Sequence, residues 1–105
     1  MENPLQQRGL LHTKSPRKAP PTRAEAEQIA IAALTFIASD PDRLARFLDL
    51  TGLDPSGLRA AAADPAFLRA ILDHLAGHEP DYVAFAADLG APPERVEAAR
   101  LMLGD

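Results

Sequence analysis

The stretch Asp73-His-Leu-Ala-Gly-His-Glu-Pro-Asp81 gathers two histidines and three carboxylates within nine residues. These are ligand types that hold zinc. On one continuous helix His74 and His78, four residues apart, would turn both imidazoles toward a single ion. Gly77 falls between them and reads as a helix stop, so the shared face is lost and no metal site is expected. His74 then belongs to the last turn of a helix, where an imidazolium favours the helix dipole. Glu79 and Asp81 read as the cap and first turn of the next helix.

Other chemistry has less to stand on. The three serines, Ser15, Ser39 and Ser56, occupy no Gly-x-Ser-x-Gly turn. The six glycines are scattered and form no phosphate-cradling loop. The chain has no cysteine, and so no thiolate ligand, thiol nucleophile or disulfide. Its acids cluster at helix starts, where capping accounts for them. The sequence reads as non-enzymatic, without a cofactor.

A binding function has two candidates. The first is a helix-turn-helix: Ala86, Gly90 and Val96 place a small residue, a turn glycine and an inward apolar residue at offsets 0, 4 and 10. Leu48, Gly52 and Leu58 repeat those offsets with a leucine in the small position. A reading helix needs bases near phosphates and base edges. Here the second helix begins Pro92-Pro93-Glu94-Arg95 and sets Glu94 and Glu97 against Arg95 and Arg100. The other candidate reader carries Arg59 alone. A glycine-capped helix hairpin explains the same pattern. Nucleic-acid contacts would fall to Arg95 and Arg100, helped by Lys14, Arg17 and Lys18 ahead of the domain.

The second candidate is a protein partner or a second copy of the chain. The segment Ile29-Ala-Ile-Ala-Ala-Leu-Thr-Phe-Ile-Ala38 is apolar nearly all round, as a helix is when others pack around it. It falls short of the roughly 20 residues that span a bilayer, so no membrane association is expected. Its main face is Ala26, Ile29, Ala30, Ala33, Leu34 and Ile37 at helical spacing. Ile31 and Phe36 lie off that face; Leu50, Leu53 and Leu101-Met102 lie off the faces of their own segments. Converging, these side chains would form an apolar patch of the kind that marks an association site. Ile31, Phe36, Leu50 and Leu53 would be its anchors and Arg43 and Arg46 its rim. The competing expectation is that they complete the core.

The elements that position these residues are read from the charge and the prolines. Before Thr22 there are four bases, Arg8, Lys14, Arg17 and Lys18, against Glu2 alone, a net of +3. From Thr22 on there are seven arginines, no lysine and fourteen acids, a net of −7. Residues 1–21 carry four prolines and little apolar surface, which predicts a disordered basic tail ahead of one domain over 22–105. No charged-then-apolar leader is seen in this sequence, and a cytoplasmic location is expected.

Thr22-Arg-Ala-Glu25 has capping-box spacing. Asp40-Pro41, Asp54-Pro55, Asp64-Pro65 and Glu79-Pro80 each set a carboxylate before a proline, a helix-start device. Four residues past each acid comes an apolar anchor: Leu44, Leu58, Leu68 and Val83. The helices predicted are 41–50, a short one over 55–63 weakened by Gly57, 65–76, 80–89 and 92–103. Their inward residues are Leu44, Phe47 and Leu48; Phe67, Leu68, Ile71, Leu72 and Leu75; Tyr82, Phe85, Ala86 and Leu89; and Val96, Ala99 and Leu103. The fold class is all-α, a compact bundle of five to six short helices around the Ala/Ile-rich first helix.

The segment Phe47-Leu-Asp-Leu-Thr-Gly-Leu-Asp-Pro-Ser-Gly-Leu-Arg59 adds a resemblance. With the alanine-rich first helix, Asp81-Tyr-Val-Ala-Phe85 and Leu89-Gly-Ala-Pro-Pro-Glu-Arg-Val96, it resembles an uncharacterised family of small helical proteins from alphaproteobacteria. That family is domain of unknown function 3572, and the likeness runs over residues 24–103. It implies a helical fold and a bacterial cytoplasm. It brings no activity and no catalytic residues.

Overall fold

The computed structural model describes residues 19–104. Six α-helices make up the fold and no strand occurs among the described residues. Helix α1 spans Arg23–Ala38, α2 Pro41–Thr51, α3 Leu58–Ala61, α4 Pro65–Ala76, α5 Glu79–Leu89 and α6 Pro93–Leu103. A 3-10 turn, Pro55–Gly57, leads into α3.

The starts of these helices are set by local chemistry. The Thr22 hydroxyl accepts from the Glu25 N–H at 3.1 Å, and the Glu25 carboxylate accepts from the Thr22 N–H at 2.8 Å. Two backbone donors left over at the helix start are thereby satisfied. Asp40, Asp54 and Asp64 each accept from the N–H two residues on, at 2.9, 3.1 and 2.9 Å. Helix α2 stops at Gly52, whose φ of +73° is left-handed and whose N–H reaches the Leu48 carbonyl at 2.8 Å. Helix α5 stops at Gly90 in the same way, φ +76°.

The short segment over 55–63, expected to be weakened by Gly57, is a 3-10 turn followed by a single α turn, because Gly57 adds backbone freedom where the helix should nucleate. Two local expectations are corrected. Glu79 is not a cap. His78 takes the extended N-cap conformation without a side-chain bond, so α5 starts one residue early and Glu79 lies inside its first turn. Pro80 then occupies the second helical position, where its missing N–H would have had no intrahelical partner anyway. Finally, Val83 is 50% exposed and is no anchor. The inward face of α5 is Tyr82, Phe85, Ala86 and Leu89, and position 83 falls off its edge.

Helix α1 is the centre of the bundle. It packs against α2, α4, α5 and α6, most extensively against α6. Ala26, Ala30 and Ala33 are fully covered, beside Ile29 and Ile37. The core is completed by Phe47, Leu68, Ile71, Leu72, Leu75, Phe85, Ala86, Val96, Ala99 and Leu103. Small side chains on α1 and Ala99 on α6 let the two backbones approach closely. One edge of α1 stays open to solvent, carrying Ile31 and Thr35. No helix among the described residues is long and apolar enough to cross a membrane.

Candidate interaction surfaces

Arg43 and Arg46, expected as the rim of a patch, reach across to another helix. Arg43 Nε donates to Asp81 Oδ1 at 3.1 Å, and Arg46 Nη1 lies 3.5 Å from Asp81 Oδ2. His78 Nε2 approaches the same carboxylate oxygen at 3.7 Å. Asp81, only 13% exposed, thus collects three basic groups from α2 and from the start of α5. The Arg43 guanidinium also lies 4.4 Å over the Phe36 ring, a cation–π contact. Phe36 packs on Phe85 at 5.5 Å between ring centroids. Its edge position on α1 is therefore closed by protein.

The remaining anchors differ in exposure. Ile31 is 40% and Leu50 70% exposed, while Leu53 is half-buried. Leu101 on α6 is 52% exposed, and Met102 beside it packs on the core. The apolar surplus read from the sequence is present, spread over several helices.

The arginines considered for nucleic acid are held within the domain. Arg100 lies flat against Glu97, Nε to Oε1 at 3.1 Å and Nη2 to Oε2 at 2.7 Å, and its Nη1 donates to Asp73 at 2.8 Å. Tyr82 donates to Glu97 Oε1 at 2.8 Å, and Arg69 Nε to Asp73 at 3.0 Å. One chain of polar groups so ties α4, α5 and α6 together. The Arg100 and Tyr82 hydrogen bonds hold the Glu97 carboxyl below its usual value. Partial burial would raise Asp73, but the bonds from Arg100 and Arg69 outweigh it and its carboxyl is lowered too. Burial and the Glu97 partner push the Tyr82 phenol up to about 12. Lys14, Arg17 and Lys18 lie outside the described residues.

His74 and His78 fall on opposite sides of the α4–α5 break, as Gly77 required. The His74 ring stands edge-on to Phe47, 5.0 Å between centroids. His74 lies in the last turn of α4 as expected, while burial, then the nearby Arg46 charge, lowers its pKa. Among the described residues no three His, Cys, Asp or Glu side chains are grouped to hold a metal ion.

Sequence reasoning missed a concave feature of the described residues. A cleft of about 340 Å³ opens between the start of α1 and the α5–α6 turn. Ile29, Leu89, Ala91 and Pro92 form its apolar lining, and Glu25, Gln28 and Arg95 supply polar groups. The Gly90 turn shapes one side, and the Thr22–Glu25 capping box positions the other. Arg95 Nη2 sits 3.5 Å from Glu25 Oε1, while its Nη1 donates to the Ala19 carbonyl at 3.1 Å. A smaller cleft, about 150 Å³, lies alongside, lined by Ala19, Pro20, Pro21, Glu94 and Ala98, and shares Pro92 and Arg95 with the first. Pro21 is buried there. The only signal in the sequence was Arg95 following a Gly-Ala-Pro-Pro turn.

No curated protein and no solved structure matches the chain. A family model described as "Protein of unknown function (DUF3572)" matches residues 23–105, from the first residue of α1 to the last of the chain. The match takes in every helix that builds the bundle and both walls of the larger cleft, so the chain belongs to the DUF3572 family.

Proposed function

We propose that this domain is a non-enzymatic protein-interaction module, and that the cleft between α1 and the α5–α6 turn is where it takes an apolar stretch of its partner. The observation that carries this reading is the cleft itself. It is at the small end of the size range of binding sites, mostly apolar, with a few polar groups at its edge. Exposed Ile31, Leu50 and Leu101 extend the apolar surface available to a larger partner or a second copy. The non-enzymatic reading is supported by how the acids are used. Asp40, Asp54 and Asp64 cap helices, and Asp73, Asp81 and Glu97 sit in ion pairs. A photo-crosslinking residue at Ala91 in cells, with sedimentation of the purified chain over a wide concentration range, tests the reading. A defined adduct, lost when Gln28→Arg narrows the cleft, supports it. A monomer at all concentrations with no adduct overturns it.

A helix-turn-helix reading keeps one favourable observation: Ala86 and Val96 are buried and Gly90 is left-handed, as that motif asks. Against it, Arg95 and Arg100 are engaged by Glu25, Glu97 and Asp73. Titration with a generic DNA duplex at low salt separates the two, since saturable amide shifts over residues 92–102 are expected only of a DNA-binding protein.

A further inference from the structure

We propose that the larger cleft is the docking site of the chain's own N-terminal segment, with Leu10 and Leu11 seated on its apolar lining. The proposal rests on the reading of that cleft as a docking surface and names its resident occupant. Three observations lead to it. The first is where the described chain begins. Ala19 is bonded to Arg95 through its carbonyl, and Pro20 and Pro21 run along the smaller cleft. Arg95 and Pro92 are the wall common to both clefts, so the segment upstream of Ala19 starts beside the larger one.

The second is reach. Leu11 precedes Ala19 by eight residues, and an extended chain covers roughly 3.3–3.6 Å per residue. Eight residues therefore reach up to about 26–29 Å from Ala19, and Ala19 is bonded to Arg95, which lines the larger cleft. Short tethers give an effective concentration of about millimolar, so even a weak contact is substantially occupied.

The third is complementarity. Residues 1–18, which lie outside the described residues, contain one adjacent aliphatic pair, Leu10-Leu11, followed by Lys14, Arg17 and Lys18. The clefts offer Ile29, Leu89 and Pro92 as lining, with the carboxylates of Glu25 and Glu94 at their edges. The segment carries a net positive charge and the domain a net negative one, an attraction that salt weakens. A partner would then have to displace this segment, which makes the tail a competitor for the site.

The absence of cysteine gives a direct test on the full chain. A nitroxide attached through His12→Cys should broaden the amides of Gln28, Gly90 and Ala91 several-fold more than when Leu10→Ser and Leu11→Ser are added. Added salt should reduce the difference. Equal broadening in both backgrounds overturns the proposal. So does broadening that appears only between differently labelled chains in a mixture, which would make a second copy the occupant. If the proposal fails while position 91 still yields an adduct in cells, the cleft remains a docking surface with another occupant; if neither signal appears, both readings fall.

Discussion

Arg43 and Asp81, 38 residues apart in sequence, form a part-buried ion pair with 3.1 Å between Nε and Oδ1 that clasps α2 to α5. The guanidinium is used twice, donating to the carboxylate and lying over the Phe36 ring. Asp81→Asn should therefore cost about 1–2 kcal/mol in urea unfolding, leaving Arg43 and Arg46 without their shared anion. Asp49→Asn, at an exposed position on α2, should be neutral. Arg43→Lys should lose part of the same stability, because a compact ammonium replaces the guanidinium that serves both the Asp81 carboxylate and the Phe36 ring. Equal stability of the two Asn variants would refute the clasp.

The polar chain from Tyr82 to Asp73 predicts a pH response at both ends. Glu97 and Asp73 titrate below their ordinary values of 4.5 and 3.8. Their contribution is complete above those values and is lost as the pH falls through the lowered folded ones. Tyr82 runs the other way: its folded value is raised, so its contribution holds below 10.0 and is lost between 10.0 and about 12. Tyr82→Phe should abolish the alkaline limb and cost about 1 kcal/mol at neutral pH. Thermal melts across pH, with phenolate absorbance, check both limbs.

His74 adds a milder slope. Its folded pKa lies below the ordinary 6.5, so the unfolded chain binds the proton first and stability drops as pH falls below 6.5. His74→Phe, which keeps a ring against Phe47, should flatten that part of the profile. A slope unchanged by the substitution would assign it to another group.

Close packing along α1 depends on its alanines. Ala30 has no exposed surface, and Ala30→Leu should destabilise by about 1–3 kcal/mol through overpacking. Ala24→Leu, on the exposed side of the same helix, should change little. Denaturation of the two variants compares them directly.

Two glycines with open space around them should respond oppositely to alanine. Gly52 holds φ +73°, so Gly52→Ala should cost about 1–2 kcal/mol. Gly57 has φ −92°, which alanine adopts freely, and Gly57→Ala should stabilise by about 0.4–1 kcal/mol. Opposite shifts in melting temperature are the expected result.

The starts of α1, α2 and α4, the stops at Gly52 and Gly90 and the buried face of α1 were legible in the sequence because each depends on neighbours within a few residues. An aspartate finds the backbone N–H two positions on, whatever the rest of the chain does. Apolar residues at helical spacing mark an inward face before its partner is known. The exposure of Ile31 and Leu50 could be anticipated on the same grounds, since both lie off those faces.

Pairing between helices was decided only by tertiary structure. Arg43 looked like a solvent-facing rim because nothing near it in sequence revealed Asp81, and Phe36 looked available because its cover comes from Arg43 and Phe85. Arg95 and Glu25 are 70 residues apart, and the cleft they edge exists only once α1 has been laid against the α5–α6 turn. Periodicity says which side of a helix turns inward. The axial position and crossing angle of two packed helices, on which each ion pair and the cleft depend, are properties of the assembled bundle.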